Sequence, residues 1–200
     1  MRALADSALV QGAGELWLRA TTARFLDAIG DGSLPTEAFN RWLIQDCHFA
    51  GALTSFQAIA LAKTPRGLRQ PLLGGLVALD AEMKMFEAQA QQRGLNLGGP
   101  VHDVCRRYGD FLIRTAYGEP YAVLLATLFG VEASYLAAWS ALKPAGPYAE
   151  FIVRWSNAGF QEYVEALGVL AENNPHAESQ RYFNEVLAHE RDFWRMTWEG

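Results

Sequence analysis

Apolar side chains recur at helical spacing along almost the entire chain, and this periodicity restricts the possible folds more than any other feature. Stretches of β-branched residues that alternate like a strand are missing between the turn signals. Half of the 200 residues are hydrophobic and 12% are aromatic, which is enough to form a sizeable core. We therefore predict an all-α protein, a compact bundle of about seven or more helices.

Glycines and prolines divide this pattern into seven helical segments. Neither a repeat of fixed period nor a shift in composition separates one part of the chain from another. We therefore predict a single domain over 1–200. The predicted helices span about 7–29, 35–63 (with Ser33 or Leu34 near its cap), 68–92, 101–117, 120–142, 148–172 and 176–198.

The charge and cysteine content exclude several classes of function. The net charge is −5 and no basic stripe occurs, so neither nucleic acid nor an anionic membrane surface is an expected partner. Two cysteines, Cys47 and Cys105, provide no disulfide framework and suit a reducing compartment. The apolar stretch from Tyr121 to Val131 is too short to cross a bilayer and is followed by Glu132. We predict a cytoplasmic protein.

Three carboxylates lie on apolar faces of three different predicted helices, each flanked by aromatic rings. A carboxylate taken out of water must find partners or change its pKa. A single inward acid is usually paired for structure, whereas several that converge suit general acid–base chemistry. Periodicity alone leaves both interpretations open. The inward polar residues are Asp46 (with Trp42 and Phe49), Tyr108 (with Val104 and Phe111), Glu132 (with Leu128, Tyr135 and Trp139) and Glu190 (with Val186, Phe193 and Trp194).

The spacing of potential ligands does not indicate a metal or a cofactor. Carboxylate-bridged di-iron sites in helical bundles use paired Glu-x-x-His motifs, and the chain has none. Four scattered histidines are too few for a metal cluster, and the first helix offers no axial histidine for haem. A phosphate-binding G-x-x-x-x-G-K loop is also missing. We predict no metal and no cofactor.

Several of these residues belong to motifs that resemble the TenA/thiaminase II family. The segment GDGSLPTEAFNRWLIQD (30–46) is similar to a family signature that ends in a Gln-Asp pair, and HERDFW (189–194) is similar to its C-terminal Glu-x-x-Phe-Trp. Tyr108 and the stretch GVEASYLAAW (130–139) stand between them at the expected separations. Each motif is weak alone, but their order covers nearly the whole chain. The resemblance implies a fold like that of haem oxygenase, without haem, assembled as a homodimer or homotetramer.

The resemblance also implies an activity on the pyrimidine half of thiamin, in salvage of the degraded vitamin. Asp46 matches the acid that binds the amino group and ring nitrogen of the pyrimidine. Tyr108 and Tyr135 match tyrosines of the site. Glu190 matches the acid that exchanges a proton with the leaving group.

This sequence departs from the thiaminase branch of the family at important positions. Val131 stands where that branch carries a nucleophilic cysteine, and the Glu132 that follows is typical of a cysteine-less, glutamate-type branch. Phe49 and Trp155 replace two further pocket tyrosines. Cys105 shares a helix face with Tyr108 and stays a candidate nucleophile, although free cysteines on apolar faces are usually inert.

From these observations we predict a cofactor-free hydrolase that acts on amino- or formylamino-pyrimidines and forms hydroxymethyl-pyrimidine. Asp46, Tyr108, Glu132, Tyr135 and Glu190 are expected to surround one cavity, and burial is expected to raise the pKa of Glu132. Two alternatives stay open: a pyrimidine-binding or regulatory protein without catalysis, and an oxidase or oxygenase on the same scaffold. The sequence also leaves open which glutamate is the base and which amine or amide is cleaved.

Overall fold

The computed structural model describes residues 4–200, in which all regular structure is helical. Strands do not occur within this range, so the prediction of an all-α fold is confirmed. Three short 3-10 helices, Leu4–Asp6, Arg66–Leu68 and Gly146–Tyr148, lie between the longer elements. The α-helices are α1 (Ala8–Ala13), α2 (Glu15–Thr21), α3 (Arg24–Asp31), α4 (Thr36–Lys63), α5 (Gln70–Arg93), α6 (Asp103–Gly118), α7 (Tyr121–Ser140), α8 (Ala149–Arg154), α9 (Ala158–Asn173) and α10 (Ser179–Glu199).

Two of the seven predicted segments are interrupted. The first contains α1, α2 and α3, because the chain turns at Gly14 (φ 53°, ψ −127°) and again at the extended Ala23. The sixth divides into α8 and α9, and the side chain of Asn157 caps the second of these by accepting from the N–H of Phe160 at 3.0 Å. The cap of α4 is Pro35, one residue beyond the predicted Leu34.

The chain forms two compact units. The larger contains the described residues up to Leu34 together with Ala122–Glu199, and the smaller contains Pro35–Tyr121 and Gly200. The prediction of a single domain over 1–200 stays a prediction.

In the larger unit, α7 is buried on almost all sides. Two glycines allow neighbouring helices to approach it closely. A Cβ atom on Gly168 of α9 would lie 3.0 Å from the ring of Phe129, and one on Gly130 of α7 would lie 3.2 Å from Phe183 of α10. Helix α10 also packs against α2 and α3, where the indole N–H of Trp194 donates to the carbonyl of Ala20 at 3.0 Å. These contacts fix α9 and α10 around α7.

In the smaller unit, α4 packs against both α5 and α6. The side-chain amide of Gln57 donates to the carbonyl of Leu72 at 2.8 Å and joins α4 to α5 in the interior. Towards α6, a Cβ atom on Gly109 would lie 3.2 Å from the methyl group of Ala52. A small residue at this contact therefore lets α6 lie close to α4.

Helix α7 is the one helix in the described part of the chain whose length and apolar composition would suit a bilayer. It extends beyond the Tyr121–Val131 stretch considered above, because Glu132 does not end it. Within the protein, 94% of its most apolar window is buried. Such burial is typical of the central helix of a water-soluble bundle.

Candidate functional site

Asp46 lies in the smaller unit within an aromatic environment. Its side chain belongs to the buried face of α4, and the residue is only 4% exposed. Phe49, less than one turn further along α4, packs its ring against that of Tyr108 on α6, with centroids 4.5 Å apart. Tyr108 also contacts Phe111 at 6.5 Å. The structure therefore brings two predicted site residues, Phe49 and Tyr108, into ring contact between α4 and α6, and Asp46 lies three residues before Phe49 on the buried face of α4.

Gln45 connects α4 to the start of α6, next to Asp46. Its amide nitrogen donates to the carbonyl of Pro100 at 3.0 Å, and its amide oxygen accepts from the N–H of His102 at 2.9 Å. The ring nitrogen Nδ1 of His102 then caps α6 by accepting from the N–H of Val104 at 3.1 Å. Gln45 is not among the predicted site residues, although the Gln-Asp pair of the signature contains it.

Both cysteines are buried beside Asp46. Burial, followed by the negative charge of Asp46, raises the pKa of Cys105 from about 9 to about 12. The same two causes, in the same order, raise the pKa of Cys47 to about 11. The thiol of Cys105 also donates to the backbone carbonyl of Gln45 at 3.3 Å. Since the thiolate is the nucleophilic form, neither side chain is activated near neutral pH.

The larger unit contains a cluster of four rings that includes two predicted site residues, Tyr135 and Trp155. Tyr135 stacks on Trp194 with centroids 5.6 Å apart and meets Trp155 edge-on at 5.5 Å. Trp139 contacts Trp155 at 4.9 Å and Trp194 at 6.4 Å. The cluster therefore joins α7 and α10 to Trp155, which directly follows α8.

Glu132 and Glu190 lie along the same pair of helices in this unit and are 8% and 3% exposed. At its middle, α7 contacts α10 where Gly130 faces Val186, and five residues later Tyr135 stacks on Trp194. Glu132 lies between the two contacts along α7, and Glu190 lies between them along α10. Glu190 also shares the helix face of Val186 and Trp194 that lies against α7.

A tyrosine that is not among the predicted site residues contacts Glu132. The hydroxyl of Tyr163 on α9 donates to Oε1 of Glu132 at 3.4 Å. Tyr163 is half-buried, next to the fully buried Val164. Its position in the sequence gives no signal of this contact, because a tyrosine in an amphipathic helix is usually an ordinary packing residue.

The predicted site residues thus form two groups. Asp46, Phe49 and Tyr108 lie on α4 and α6 in the smaller unit, and Glu132, Tyr135, Trp155 and Glu190 lie along α7, α10 and the end of α8 in the larger unit. Their arrangement around one cavity stays a prediction. Among residues 4–200, no cluster of three or more histidine, cysteine, aspartate or glutamate side chains is placed to hold a metal ion.

Comparison with known proteins identifies the family. The family model described as TENA/THI-4/PQQC matches residues 12–200. The chain belongs to this family. The family membership expected from the motifs at 30–46, 130–139 and 189–194 is therefore confirmed.

Individual relatives match over nearly their full length. The chain is 26% identical over 213 residues to a probable bifunctional TENA-E protein of Glycine max, and the match covers 93% of each protein. A TenA homologue from Pyrococcus furiosus superposes with a TM-score of 0.89 at 28% identity, over 94% of this chain and 97% of the other. The TenA homologue of P. horikoshii OT3 shares the fold, with a TM-score of 0.86 at 21% identity over 95% and 96% of the two chains.

Proposed function

We propose that this protein hydrolyses C–N bonds of amino- and formylamino-pyrimidines that arise from thiamin breakdown. The burial of Glu132 and Glu190 along the α7–α10 pair is the observation that carries the proposal. Two carboxylates in an apolar, aromatic environment are suited to accept and donate protons. Family membership and the similarity to a TENA-E protein support the same class of substrate.

The group around Asp46 is suited to bind the pyrimidine. A carboxylate can accept hydrogen bonds from an exocyclic amino group and from a protonated ring nitrogen, and such charge-assisted bonds are stronger than neutral ones. Phe49 and Tyr108 supply aromatic surface beside it. Asp46 therefore orients the ring, and Tyr135 and Trp155 contribute further aromatic contacts.

Glu132 and Glu190 act on the side chain of the same substrate. One carboxylate takes a proton from water while the oxygen of that water attacks the carbon bound to nitrogen. The other carboxylate donates a proton to the nitrogen as the C–N bond breaks. With aminomethyl-pyrimidine and water, the products are hydroxymethyl-pyrimidine and ammonia; with formylaminomethyl-pyrimidine, attack at the formyl carbon releases formate and the amine.

Neither cysteine is suited to form a covalent intermediate with the substrate. Val131 occupies the place of the nucleophile in the thiaminase branch, and the pKa values of Cys47 and Cys105 are raised to about 11 and about 12. Both thiols are therefore protonated at neutral pH. Direct attack by water, assisted by the carboxylates, needs no such adduct. The reaction, as we propose it, needs no cofactor and takes place in the cytoplasm in a homodimer or homotetramer.

Incubation with three separate substrates tests the proposal. Formylaminomethyl-pyrimidine, aminomethyl-pyrimidine and thiamin are each added to the purified protein, and hydroxymethyl-pyrimidine, ammonia, formate and free thiazole are measured. We expect turnover of at least one of the first two and little release of thiazole. Binding of the pyrimidine without any turnover would instead indicate a binding protein, and consumption of oxygen would indicate an oxidase.

A further inference from the structure

Helix α9 is held against α7 at a close contact near its C-terminal half. A Cβ atom on Gly168 would lie 3.0 Å from Cε2 and 3.1 Å from Cζ of Phe129, so only glycine allows the helices to approach this closely. Phe129 is itself buried. From this contact α9 runs antiparallel to α7, because Tyr163, five residues before Gly168, meets Glu132, three residues after Phe129.

The start of α9 is fixed as well. The side chain of Asn157 accepts from the N–H of Phe160 at 3.0 Å, and the amide of Gln161 donates to the carbonyl of Ser156 at 2.9 Å. The rings of Phe160 and Tyr163 pack with centroids 6.4 Å apart. Tyr163 is therefore positioned from both ends of its helix.

The hydroxyl donates to one specific oxygen of the carboxylate, Oε1, at 3.4 Å. A donor at this place stabilises the ionised form of a carboxylate relative to the protonated form. It also restricts rotation of the carboxylate and so fixes the direction in which Glu132 takes up a proton. The bond is long for O–H···O, and catalytic contacts in unliganded enzymes commonly shorten when the substrate binds.

We propose that Tyr163 is a positioning residue that holds Glu132 through Oε1 and so makes Glu132, rather than Glu190, the group that takes the proton from water. Glu190 then keeps the role that the family resemblance implies, as the acid that protonates the departing nitrogen. This assignment rests on the proposed hydrolysis and names the general base, which the sequence leaves open. It also gives α9 a part in the reaction, although α9 carries none of the family motifs identified above.

Replacement of Tyr163 by phenylalanine tests the assignment, because it removes the hydroxyl and keeps the ring. Tyr148→Phe is a matched control, since the hydroxyl of the buried Tyr148 donates to the backbone carbonyl of Leu34 at a similar 3.3 Å. We expect kcat of Tyr163→Phe to fall about tenfold or more while KM changes less than twofold, the result for an interaction that assists the chemical step. Tyr148→Phe is expected to keep kcat within twofold of the wild type.

Combination with the two glutamate variants shows through which carboxylate Tyr163 acts. In a Glu132→Gln background, Tyr163→Phe should lower the residual kcat less than twofold, whereas in a Glu190→Gln background it should retain its full effect. A full effect in the Glu132→Gln background would overturn the assignment, and so would a wild-type kcat for Tyr163→Phe alone. Equal losses in Tyr163→Phe and Tyr148→Phe would show a general structural effect and would also overturn it.

Two further measurements separate the possible failures. Thermal unfolding of each variant identifies loss of folded protein, and the equilibrium affinity for hydroxymethyl-pyrimidine is expected to be unchanged in Tyr163→Phe. A wild-type protein that turns over none of the three substrates would reject the proposed function and this inference together. An active wild type with an equally active Tyr163→Phe variant would reject only the inference.

Discussion

The phenol ring of Tyr135 lies nearly parallel to the indole of Trp194, with 16° between the planes and 5.6 Å between the centroids. Both residues also contact Trp139, so three rings from α7 and α10 form one packed group. Stacked rings of this kind add to the stability that burial alone provides. The stretch of α7 and α10 that carries the two buried glutamates is therefore held by stiff side chains, which suits the proton transfer that we propose for it.

Glu132→Gln keeps the shape of the side chain and removes its ability to take up a proton. We expect kcat to fall at least about a hundredfold, because general acid–base assistance contributes about two to four orders of magnitude. The Kd for hydroxymethyl-pyrimidine, measured by calorimetry, should change little. Glu162→Gln, at an exposed position of α9, is the control. Near-normal turnover in Glu132→Gln would indicate that Glu190, and not Glu132, is the general base.

Asp46→Asn is expected to weaken binding more than catalysis. The amide cannot provide the negative charge that holds the ring, so the Kd for the pyrimidine should rise about tenfold or more. At saturating substrate, kcat should fall much less than in Glu132→Gln. Asp80→Asn, which alters an exposed pair with Lys84 on α5, should leave both constants unchanged. An unchanged Kd in Asp46→Asn would place ring recognition elsewhere.

The two buried thiols should make stability depend on pH in the alkaline range. Their pKa values are raised from about 9 to about 11 in Cys47 and about 12 in Cys105, so they ionise in the unfolded chain before they ionise in the fold. The contribution of the protonated thiols to the free energy of unfolding is complete below pH 9 and is lost as the pH rises towards 11–12. Over this range the free energy of unfolding falls by about 1.4 kcal/mol per pH unit for each thiol. Urea unfolding of Cys105→Ala should show a shallower decline over this range than the wild type. An equally steep decline in Cys105→Ala would show that other groups cause the loss of stability at alkaline pH.

Gly168→Ala should destabilise the protein by about 1–3 kcal/mol, because the new methyl group would press on the ring of Phe129. Gly74→Ala on α5 is the matched control, since a Cβ atom there meets no other atom within 4 Å. Alanine at such an exposed helical position should stabilise by about 0.5–1 kcal/mol. Chemical denaturation measures both changes. The same sign in both variants would contradict the close contact between α7 and α9.

Much of the fold could be predicted because apolar periodicity and strong turn signals coincide. Helix α4 was predicted as 35–63 and is Thr36–Lys63, since Pro35 precedes it and the TPRG sequence follows it. The turn at Gly14 could not be distinguished from a glycine tolerated inside a helix. At Ala23 the chain is extended without any glycine or proline to mark the break.

The candidate site was predictable to the extent that it depends on single helices. The apolar neighbours of Asp46, Glu132 and Glu190 indicate their burial, and all three are buried. The contact between Tyr163 and Glu132 depends instead on how closely α9 approaches α7. That distance is set by the contact between Gly168 and Phe129. The apolar periodicity of each helix does not show which of its residues meets which residue of the other helix. Contacts between helices therefore have to be read from the structure.

The nearly complete burial of α7 also has a consequence for synthesis on the ribosome. The helices that pack over α7 include α9, at the contact of Phe129 with Gly168, and α10, at the contact of Gly130 with Phe183. Both helices follow it in the chain, so the most apolar helix of the protein emerges before the segments that shield it. Nascent chains that have reached Ser140 but not yet α10 expose a surface to which other unfinished chains can adhere. Slow translation between α7 and the end of α10 would therefore be more hazardous to this protein than slow translation ahead of α7.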